Sequence, residues 1–333
     1  MGRNIIQFNE KASIIVGASA VGAMEGKGPL RNYFDLCSSD SKFGMDSWEK
    51  AEAEMVREST EVALKKSKLS EAEIDITFAG DLVNQCASST FGLKGKNIPH
   101  VGLYGACSTF ALSLAMGALA LQTDAINTAL CCASSHFATA ERQYRFPLEY
   151  GCQRTPTAQT TVTGAGSVIL SKGIKGLPFI AEFLPGKICD FGITDTNNMG
   201  AAMAPACFDT IQRYFKESGL KPTDFDAIIS GDLGREGKKI LLELCMENGL
   251  DLRDVFCDCG TIIYDLKSGK VSEGGSGCGC SAVVFSSYFL ERLRNGEVKD
   301  LLLIGTGALL NSSTPLQKET IPSIAHLIRI RKD

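Results

Sequence analysis

The stretch Leu69-Ser-Glu-Ala-Glu-Ile-Asp-Ile-Thr-Phe-Ala-Gly-Asp-Leu82 occurs a second time as Leu220-Lys-Pro-Thr-Asp-Phe-Asp-Ala-Ile-Ile-Ser-Gly-Asp-Leu233. Leucine, aspartate, glycine, aspartate and leucine recur in register in the two copies. Each copy reads as a polar turn followed by an apolar strand rich in β-formers, with Gly-Asp where the strand should end. The chain therefore contains an internal duplication, and the repeated unit is a piece of an α/β fold.

The same order of elements surrounds each copy. Apolar residues at helical spacing follow Trp48 before the first copy and Phe208 before the second, and strand candidates at 13–20 and 179–184 precede these helices. After the copies, Cys107 with its helix matches Cys280 with its helix. The pattern predicts two α/β halves, residues 1–175 and 176–333, each with a mixed sheet covered by helices.

Two further pairs of strands complete the predicted halves. The strand at 128–133 matches the strand at 301–306, and the last strands, 164–171 and 324–331, match less clearly. The second half is longer because of an insertion, which we predict to be a hairpin at 257–270.

Composition narrows the class of protein. The 333 residues are 44% hydrophobic and 22% charged, with a net charge of −4 and no cluster of Lys and Arg, which argues against a nucleic-acid partner. Residues 97–123 carry no charge but are interrupted by Pro, Gly and Ser, so we predict a buried strand, turn and helix there and no membrane span. Because no signal peptide is recognisable, we expect a cytoplasmic protein.

The chain has thirteen cysteines, an odd number in a long chain, and we expect them to be reduced. Cys257 with Cys259, and Cys278 with Cys280, are spaced more tightly than zinc-binding pairs. On a strand, such spacing points the two thiols to opposite faces. We therefore expect no metal and no cofactor.

One cysteine stands out by its context. Gly105-Ala-Cys107-Ser-Thr109 lies between an apolar strand and a helix rich in Ala and Leu. The free N–H groups and the positive dipole end of a helix N-terminus lower the pKa of a thiol there and attract anions. We therefore expect Cys107 to face a ligand pocket. The alternative is a buried structural cysteine.

Few other side chains are candidates for a site. His136 follows a strand end, where α/β sheets present ligand-facing residues, and His326 lies in the last strand. Either histidine can instead be a satisfied core residue. Arg142, Arg145 and Lys318 can bind a carboxylate, and the alternative for each of them is a solvated surface residue.

The duplicated halves, with Cys107 at the start of a helix, resemble the thiolase superfamily, which includes the type III ketoacyl synthases. A closer resemblance is to the stage V sporulation protein AD family of spore-forming bacteria, and it covers nearly the whole chain. The matching blocks are 105–109, 133–145, 190–195, 199–205, 274–278 and 317–322. The resemblance implies a thiolase-like fold in which the two duplicated α/β halves form a layered αβαβα arrangement, and it implies a homodimer.

The family resemblance also implies a function. It implies a protein that binds dipicolinic acid, with or without calcium, and serves its uptake into the developing spore. Such a protein works beside membrane proteins of the same sporulation operon, associated peripherally with the inner membrane of the forespore and without a membrane span of its own.

Acyl transfer in the superfamily uses a His from the second half and an Asn or second His beside the cysteine. Here the second-half strand ends in Ser230-Gly-Asp232, and the turn expected to supply Asn reads Gly274-Gly-Ser-Gly277. We therefore expect a non-enzymatic binding protein without catalytic residues. The alternative is an acyltransferase in which Cys107 is the nucleophile and His136 or His326 substitutes for the missing His, and a scaffold without pocket chemistry is a third reading.

Dipicolinate is a flat aromatic dianion, so its site should offer donors at two ends and apolar walls for the ring. The helix start at Cys107, the two arginines and the lysine are candidate donors, and Met199 and Met203 are candidate walls. The predicted ligand residues are Cys107, His136, Arg142, Arg145, Met199, Met203, Lys318 and His326.

Overall fold

A computed structural model describes residues 4–144 and 155–333 of the chain. Its strands are β1 (Ile6–Val21), β2 (Leu36–Cys37), β3 (Ile76–Gly80), β4 (His100–Gly102), β5 (Thr128–Ser135), β6 (Thr160–Thr161), β7 (Gly164–Lys172), β8 (Phe179–Leu184), β9 (Ala227–Ser230), β10 (Phe256–Asp258), β11 (Gly275–Ser276), β12 (Asp300–Ala308) and β13 (Ser323–Arg331). Its helices are α1 (Trp48–Ser67), α2 (Ala87–Leu93), α3 (Thr109–Ala120), α4 (Phe137–Tyr144), α5 (Met199–Ser218), α6 (Gly234–Glu247), α7 (Cys259–Ile263), α8 (Cys278–Val284), α9 (Leu290–Asn295) and α10 (Ser313–Leu316), with a π turn at Phe285–Phe289.

The large sheet has the strand order β10-β9-β12-β13-β8-β1-β7-β5-β3-β4. Reading outwards from the junction of β8 with β1, each side has the same arrangement, with two antiparallel contacts and then parallel strands. The strands before residue 175 form one side and those after it form the other, joined by antiparallel pairing such as Ile6 with Phe183. The sequence duplication thus appears as a symmetric sheet.

The repeated stretch folds in the same way in both halves. Each copy begins with a short 3-10 turn, at Glu71–Glu73 and Pro222–Asp224, in which an acidic side chain accepts a hydrogen bond from the backbone at the start of the turn. The strands β3 and β9 follow, and each ends where Gly-Asp-Leu was predicted to end it. The predicted long helices before the copies are α1 and α5.

Three buried clusters separate the layers. One lies between α1 and the first half of the sheet, and another between α5, α6 and the second half. In the third, α3 and α8 lie in the centre of the molecule, where α3 contacts β5 of the first half and β12 of the second. The layers are therefore helix, the first half of the sheet, the central helices, the second half of the sheet and helix. This order confirms the predicted αβαβα arrangement.

Some local predictions were wrong. The segment predicted as a hairpin at 257–270 contains β10, the short helix α7 and a 3-10 turn, because Asp258 accepts a hydrogen bond from the Thr261 N–H and so caps a helix. The strand β4, predicted to be buried, is exposed at the edge of the sheet. Cys107 precedes α3 whereas Cys280 lies inside α8, so their positions are not equivalent.

Among residues 4–144 and 155–333, no helix is long and apolar enough to cross a membrane.

Candidate functional site

The turn that carries Cys107 is held by hydrogen bonds between its own residues. The Gly105 N–H donates to Thr109 Oγ1 over 3.0 Å, and the Thr109 hydroxyl donates to the Ala106 carbonyl over 2.6 Å. Ala106 has φ +50°, a left-handed conformation that costs energy for a residue with a side chain. Cys107 is thereby fixed two residues before α3, as predicted, and its exposed fraction is 6%.

Two glycines of β12 allow this turn to lie directly against the second half. A Cβ atom on Gly307 would be 2.6 Å from the Gly105 carbonyl oxygen, and one on Gly305 would be 2.6 Å from the Ala111 Cβ atom. Both distances are too short for a side chain, so these positions need glycine. The close approach brings Cys107 to the ends of the second-half strands.

Asp232, from the second copy of the repeat, faces Cys107 there. Its Oδ1 atom accepts a hydrogen bond from the Thr306 hydroxyl over 2.7 Å, and its Oδ2 atom accepts one from the Gly277 N–H over 2.8 Å. The carboxyl group is fully buried. It follows β9 directly, at the place where the superfamily resemblance implied a histidine.

The predicted lowering of the Cys107 pKa was wrong. Burial raises the pKa of the thiol well above its ordinary value, and the charge of Asp232, a hydrogen bond to it and the neighbouring Cys278 raise it further. The effect of the helix start is outweighed because the thiolate would lie in a dry site beside a carboxylate. Burial likewise raises the pKa of Asp232 to about 7.

This arrangement has a clear chemical consequence. A cysteine becomes a nucleophile as its thiolate, which is favoured by a neighbouring cation or imidazole. Here the facing group is an acid, so the protonated thiol is the stable form at neutral pH. The pair of Cys107 and Asp232 is suited to holding a proton between two groups, and it does not resemble an activated nucleophile.

His136 follows β5 directly, as predicted, but both its ring nitrogens are engaged. Nε2 lies 2.9 Å from the Ser41 carbonyl oxygen, which can only accept, so Nε2 carries the proton. Nδ1 accepts a hydrogen bond from the Ala138 N–H over 3.0 Å, and the ring packs on Trp48 with centroids 5.5 Å apart. Burial lowers its pKa. The imidazole is therefore neutral and has no free nitrogen for a ligand or for Cys107.

The other two histidines are also placed by the fold. Nδ1 of His326 accepts a hydrogen bond from the Gly186 N–H over 3.2 Å, and burial lowers its pKa to about 4. His100 lies in the exposed edge strand β4. The His326 ring is therefore neutral, and its contact with the Gly186 N–H is a structural one within the second half.

The two predicted cationic donors that the structure describes, Arg142 and Lys318, have exposed side chains. Arg142 Nη1 lies 2.6 Å from Glu49 Oε1, and the side chains are 56% and 38% exposed, so this arginine forms a surface ion pair between α4 and α1. Lys318 is exposed just after α10. Arg145 lies outside the described residues.

The two predicted methionine walls lie on the outer side of the second half. Met203 is fully buried in the cluster between α5, α6 and the sheet, so its side chain has no surface left for a ligand. Met199 is the first residue of α5 and packs against the same cluster. Their helical spacing reflects core packing.

Two tyrosines near Cys107 were not among the predicted residues. The Tyr104 and Tyr144 hydroxyl oxygens are 3.1 Å apart, and Tyr144 donates to the Leu82 carbonyl over 2.7 Å. Burial raises the pKa of both tyrosines, and Cys107 adds to the rise. Tyr104 lies directly before the turn that carries Cys107, and Tyr144 lies directly before Arg145. Their closeness in sequence to two predicted residues could have indicated them.

A second buried acid pair lies under the first half. Glu52 accepts hydrogen bonds from the Ser134 hydroxyl over 3.0 Å and the Thr139 hydroxyl over 2.6 Å, and burial with the charge of Asp81 raises its pKa to about 8. Asp81, the counterpart of Asp232 in the first copy of the repeat, accepts from the Ser89 N–H over 2.7 Å. Both copies thus end in a buried aspartate, but only Asp232 was brought to the cysteine.

Known structures share this fold at low sequence identity. OleA from Xanthomonas campestris with bound cerulenin superposes with a TM-score of 0.63 at 12% identity, covering 97% of this chain and 100% of that one. A 3-oxoacyl-(acyl carrier protein) synthase III from Xanthomonas oryzae pv. oryzae gives 0.62 at 13% identity, over 97% and 100% of the two chains. The priming β-ketosynthase of the R1128 polyketide pathway gives 0.60 at 14% identity, over 98% of each chain. These similarities show a thiolase-like fold.

Sequence comparison is more specific. The family described as "Stage V sporulation protein AD (SpoVAD)" matches residues 2–331. The chain is 39% identical over 325 residues to "Stage V sporulation protein AD" of Bacillus subtilis (strain 168), covering 98% of this chain and 96% of that protein. The chain belongs to the stage V sporulation protein AD family.

Proposed function

We propose that this protein binds dipicolinic acid, alone or with calcium, beside Cys107 and serves its uptake into the developing spore without catalysing a reaction. Membership of the sporulation family supports the process. The observation that carries the proposal is that Asp232, an acid, faces Cys107. A thiol held in its protonated form can contact a ligand but is a poor acyl acceptor.

The surroundings of Cys107 suit a flat anion in two respects. Tyr104 and Tyr144 lie beside the cysteine, and tyrosine rings give an apolar surface for a pyridine ring while their hydroxyls remain polar. The start of α3, two residues after Cys107, places the positive end of a helix near the cysteine, and this end favours an anion. Asp232 does not oppose this binding strongly, because its oxygens already accept hydrogen bonds and its raised pKa reduces its charge.

The second candidate is an acyltransferase that uses Cys107. The strained Ala106 and the position of the thiol before a helix favour it, because strain at such a turn is found where a reactive group must be held in one orientation. It requires that the thiolate forms despite Asp232, through a change of protonation on acyl-thioester binding. An acyl adduct on Cys107 is the result that separates the two candidates.

The proposed partners follow from the family and from the exposed edge. We propose a homodimer joined through β4, the last strand of the large sheet, where His100, Val101 and Gly102 are all exposed. Phe91, 63% exposed, and Tyr104, 49% exposed, flank this edge with apolar surface. We further propose that the dimer associates peripherally with the forespore membrane through membrane proteins of the same operon.

Calorimetric titration of the full chain with dipicolinic acid, with and without Ca²⁺, tests the proposal. We expect saturable binding that Cys107→Ala and Arg145→Ala weaken, whereas Cys37→Ala and Arg142→Ala, an exposed cysteine and a paired surface arginine, leave it unchanged. Incubation with acyl-thioesters followed by intact mass measurement should give no adduct. Absence of heat with dipicolinate together with acylation of Cys107 would overturn the binding function and establish the enzyme.

A further inference from the structure

Three buried carboxyl groups act on the Cys278 thiol at the start of α8, those of Glu52 and Asp81 in the first half and that of Asp232 in the second. A fourth carboxyl group, that of Asp258, acts on Asp232. All four residues are fully buried. The site proposed for dipicolinate therefore adjoins a group of buried acids.

The hydrogen-bond donors to the two acids of the second half are neutral. Asp258 accepts four hydrogen bonds, from the Ser230 hydroxyl and from the N–H groups of Leu233, Gly234 and Thr261. Asp232 accepts from the Thr306 hydroxyl and the Gly277 N–H. Within residues 4–144 and 155–333, none of the four buried carboxyl groups forms an ion pair with Lys, Arg or His. No cation in the described part of the chain therefore balances their charge.

The titratable groups that face Asp232 are acids as well. They are the Asp258 carboxyl group and four thiols, those of Cys107, Cys259, Cys278 and Cys280. They lie before α3, at the end of β10, and in α7 and α8, while β12 contributes the Thr306 hydroxyl. Carboxyl groups and thiols are either neutral or negative, so none of these groups can supply a positive charge when an anion arrives.

A dianion beside Asp232 is bound unfavourably while the carboxyl group is ionised, because like charges in a dry site repel each other strongly. Protonation of Asp232 removes this repulsion. It costs little free energy near neutral pH, since burial raises the pKa of Asp232 to about 7. At that pH about half of the molecules carry the proton before any ligand binds.

We propose that dipicolinate, at the site proposed above on which this inference rests, binds together with one proton that the Asp232 carboxyl group holds. The proton comes from solvent and converts the carboxylate into a neutral carboxylic acid, while the ligand carboxylates stay ionised. Below about pH 6 Asp232 already carries its proton, and above about pH 7 binding must take one up. The affinity therefore falls as pH rises.

Calorimetric titration of the full chain with dipicolinic acid tests this coupling, with EDTA present so that no divalent cation accompanies the ligand. Titrations at pH 8 in HEPES, Tricine and Tris, whose ionisation enthalpies differ, give the number of protons taken up from the slope of the binding heat against the buffer enthalpy. We expect an uptake of roughly 0.9 proton at pH 8, and an affinity roughly tenfold weaker at pH 8 than at pH 6.

Asp232→Asn is the variant that assigns the proton. Its amide can accept from the Gly277 N–H and donate to the Thr306 hydroxyl, as a protonated acid does. It should bind dipicolinate without proton uptake and with the same affinity at both pH values. Glu52→Gln is the matched control, because Glu52 is also a fully buried acid but is held by the Ser134 and Thr139 hydroxyls. It should behave like the wild type.

Saturable binding by the wild type without proton uptake overturns the inference and leaves the binding function standing. This result needs the wild-type protein alone, so it holds whether or not a variant folds. Uptake that persists in Asp232→Asn overturns the assignment to Asp232. If no saturable binding occurs at either pH, the binding function is overturned and the coupling with it.

Discussion

The Asp232 carboxyl group faces the Cys107 thiol across the boundary between the two halves of the chain, and each group raises or lowers the pKa of the other. Asp232 helps to raise the pKa of Cys107, while the thiol lowers that of Asp232 by a hydrogen bond. The balance keeps the cysteine protonated. Several consequences can be measured.

Asp232→Asn should make Cys107 more reactive. The substitution removes the charge that disfavours the thiolate, so alkylation of Cys107 by iodoacetamide near neutral pH should accelerate by roughly tenfold, the effect of about one pKa unit. Peptide mass spectrometry measures the rate at each cysteine. Cys37, which is exposed, is the internal control and should react at the same rate in both proteins. An unchanged rate at Cys107 would show that burial alone sets its pKa.

The same substitution should change how stability depends on pH. The folded-state pKa of Asp232, about 7, lies above its ordinary value of 3.8, so the folded protein holds this proton more tightly than the unfolded chain. The contribution of Asp232 to stability is therefore present below about pH 4 and is lost as pH rises through about 7.

The Asp232→Asn variant has no carboxyl group at this position, so its stability does not fall with pH for this reason. The difference in free energy of unfolding between wild type and variant should fall, as pH rises from about 4 to 8, by up to about 4 kcal/mol. Urea denaturation at several pH values measures it, and buried acids that do not interact with Asp232 cancel in the comparison. A difference that stays constant with pH would mean that Asp232 titrates normally.

Arg142→Ala should have little effect. Arg142 and Glu49 form an exposed ion pair, and such pairs contribute about 0–1 kcal/mol. A double-mutant cycle with Glu49→Ala, read by chemical denaturation, gives the coupling energy directly. Dipicolinate affinity should change by less than about twofold. A tenfold loss of affinity would mean that Arg142 leaves Glu49 to bind the ligand.

Met203→Ala should destabilise the fold by about 2–5 kcal/mol, because a fully buried methionine leaves a cavity between α5 and the sheet. Met203→Leu keeps most of the volume and is the control, with an expected cost below about 1.5 kcal/mol. Thermal and chemical denaturation measure both. Dipicolinate affinity of the folded Met203→Ala protein should be unchanged, and a selective loss of binding with full stability would restore Met203 as a wall of the ligand site.

Val101→Lys should convert the proposed dimer into a monomer, since it places a charge in the exposed edge strand β4. Light scattering coupled to size-exclusion chromatography measures the mass. Ile188→Lys is the control, because Ile188 is also an exposed apolar residue, at 68% against 40% for Val101, but it belongs to the second half of the chain. If the Val101 variant has the same mass as the wild type, the interface is elsewhere or the protein is not a dimer.

Much of the fold could be predicted because it is encoded locally. The strands β3 and β9, the helices before them and the turn at Cys107 each follow from the spacing of apolar residues and from Gly-Asp at strand ends. The prediction of a hairpin at 257–270 was wrong because Asp258 caps a helix there. Composition alone does not decide between a hairpin and a short helix.

The site was predicted less well, because its chemistry depends on burial. The two arginines that follow His136 were predicted to bind a carboxylate ligand, but Arg142 forms an ion pair with Glu49. His136 was placed at the end of β5 as expected, yet its nitrogens were used by Ser41 and Ala138, contacts that no pattern in the sequence records. Asp232 was visible in the repeat, but its role depends on what faces it.

By itself, the sequence determined the duplication, the symmetric order of elements and the cysteine before a helix. Each of these can be recognised from the pattern of neighbouring residues within a short stretch of the chain. Only the tertiary structure decided that Asp232 meets Cys107 and that the pKa of the thiol rises. Desolvation and facing charges arise between residues far apart in the chain, and they exceed the local influence of a helix end.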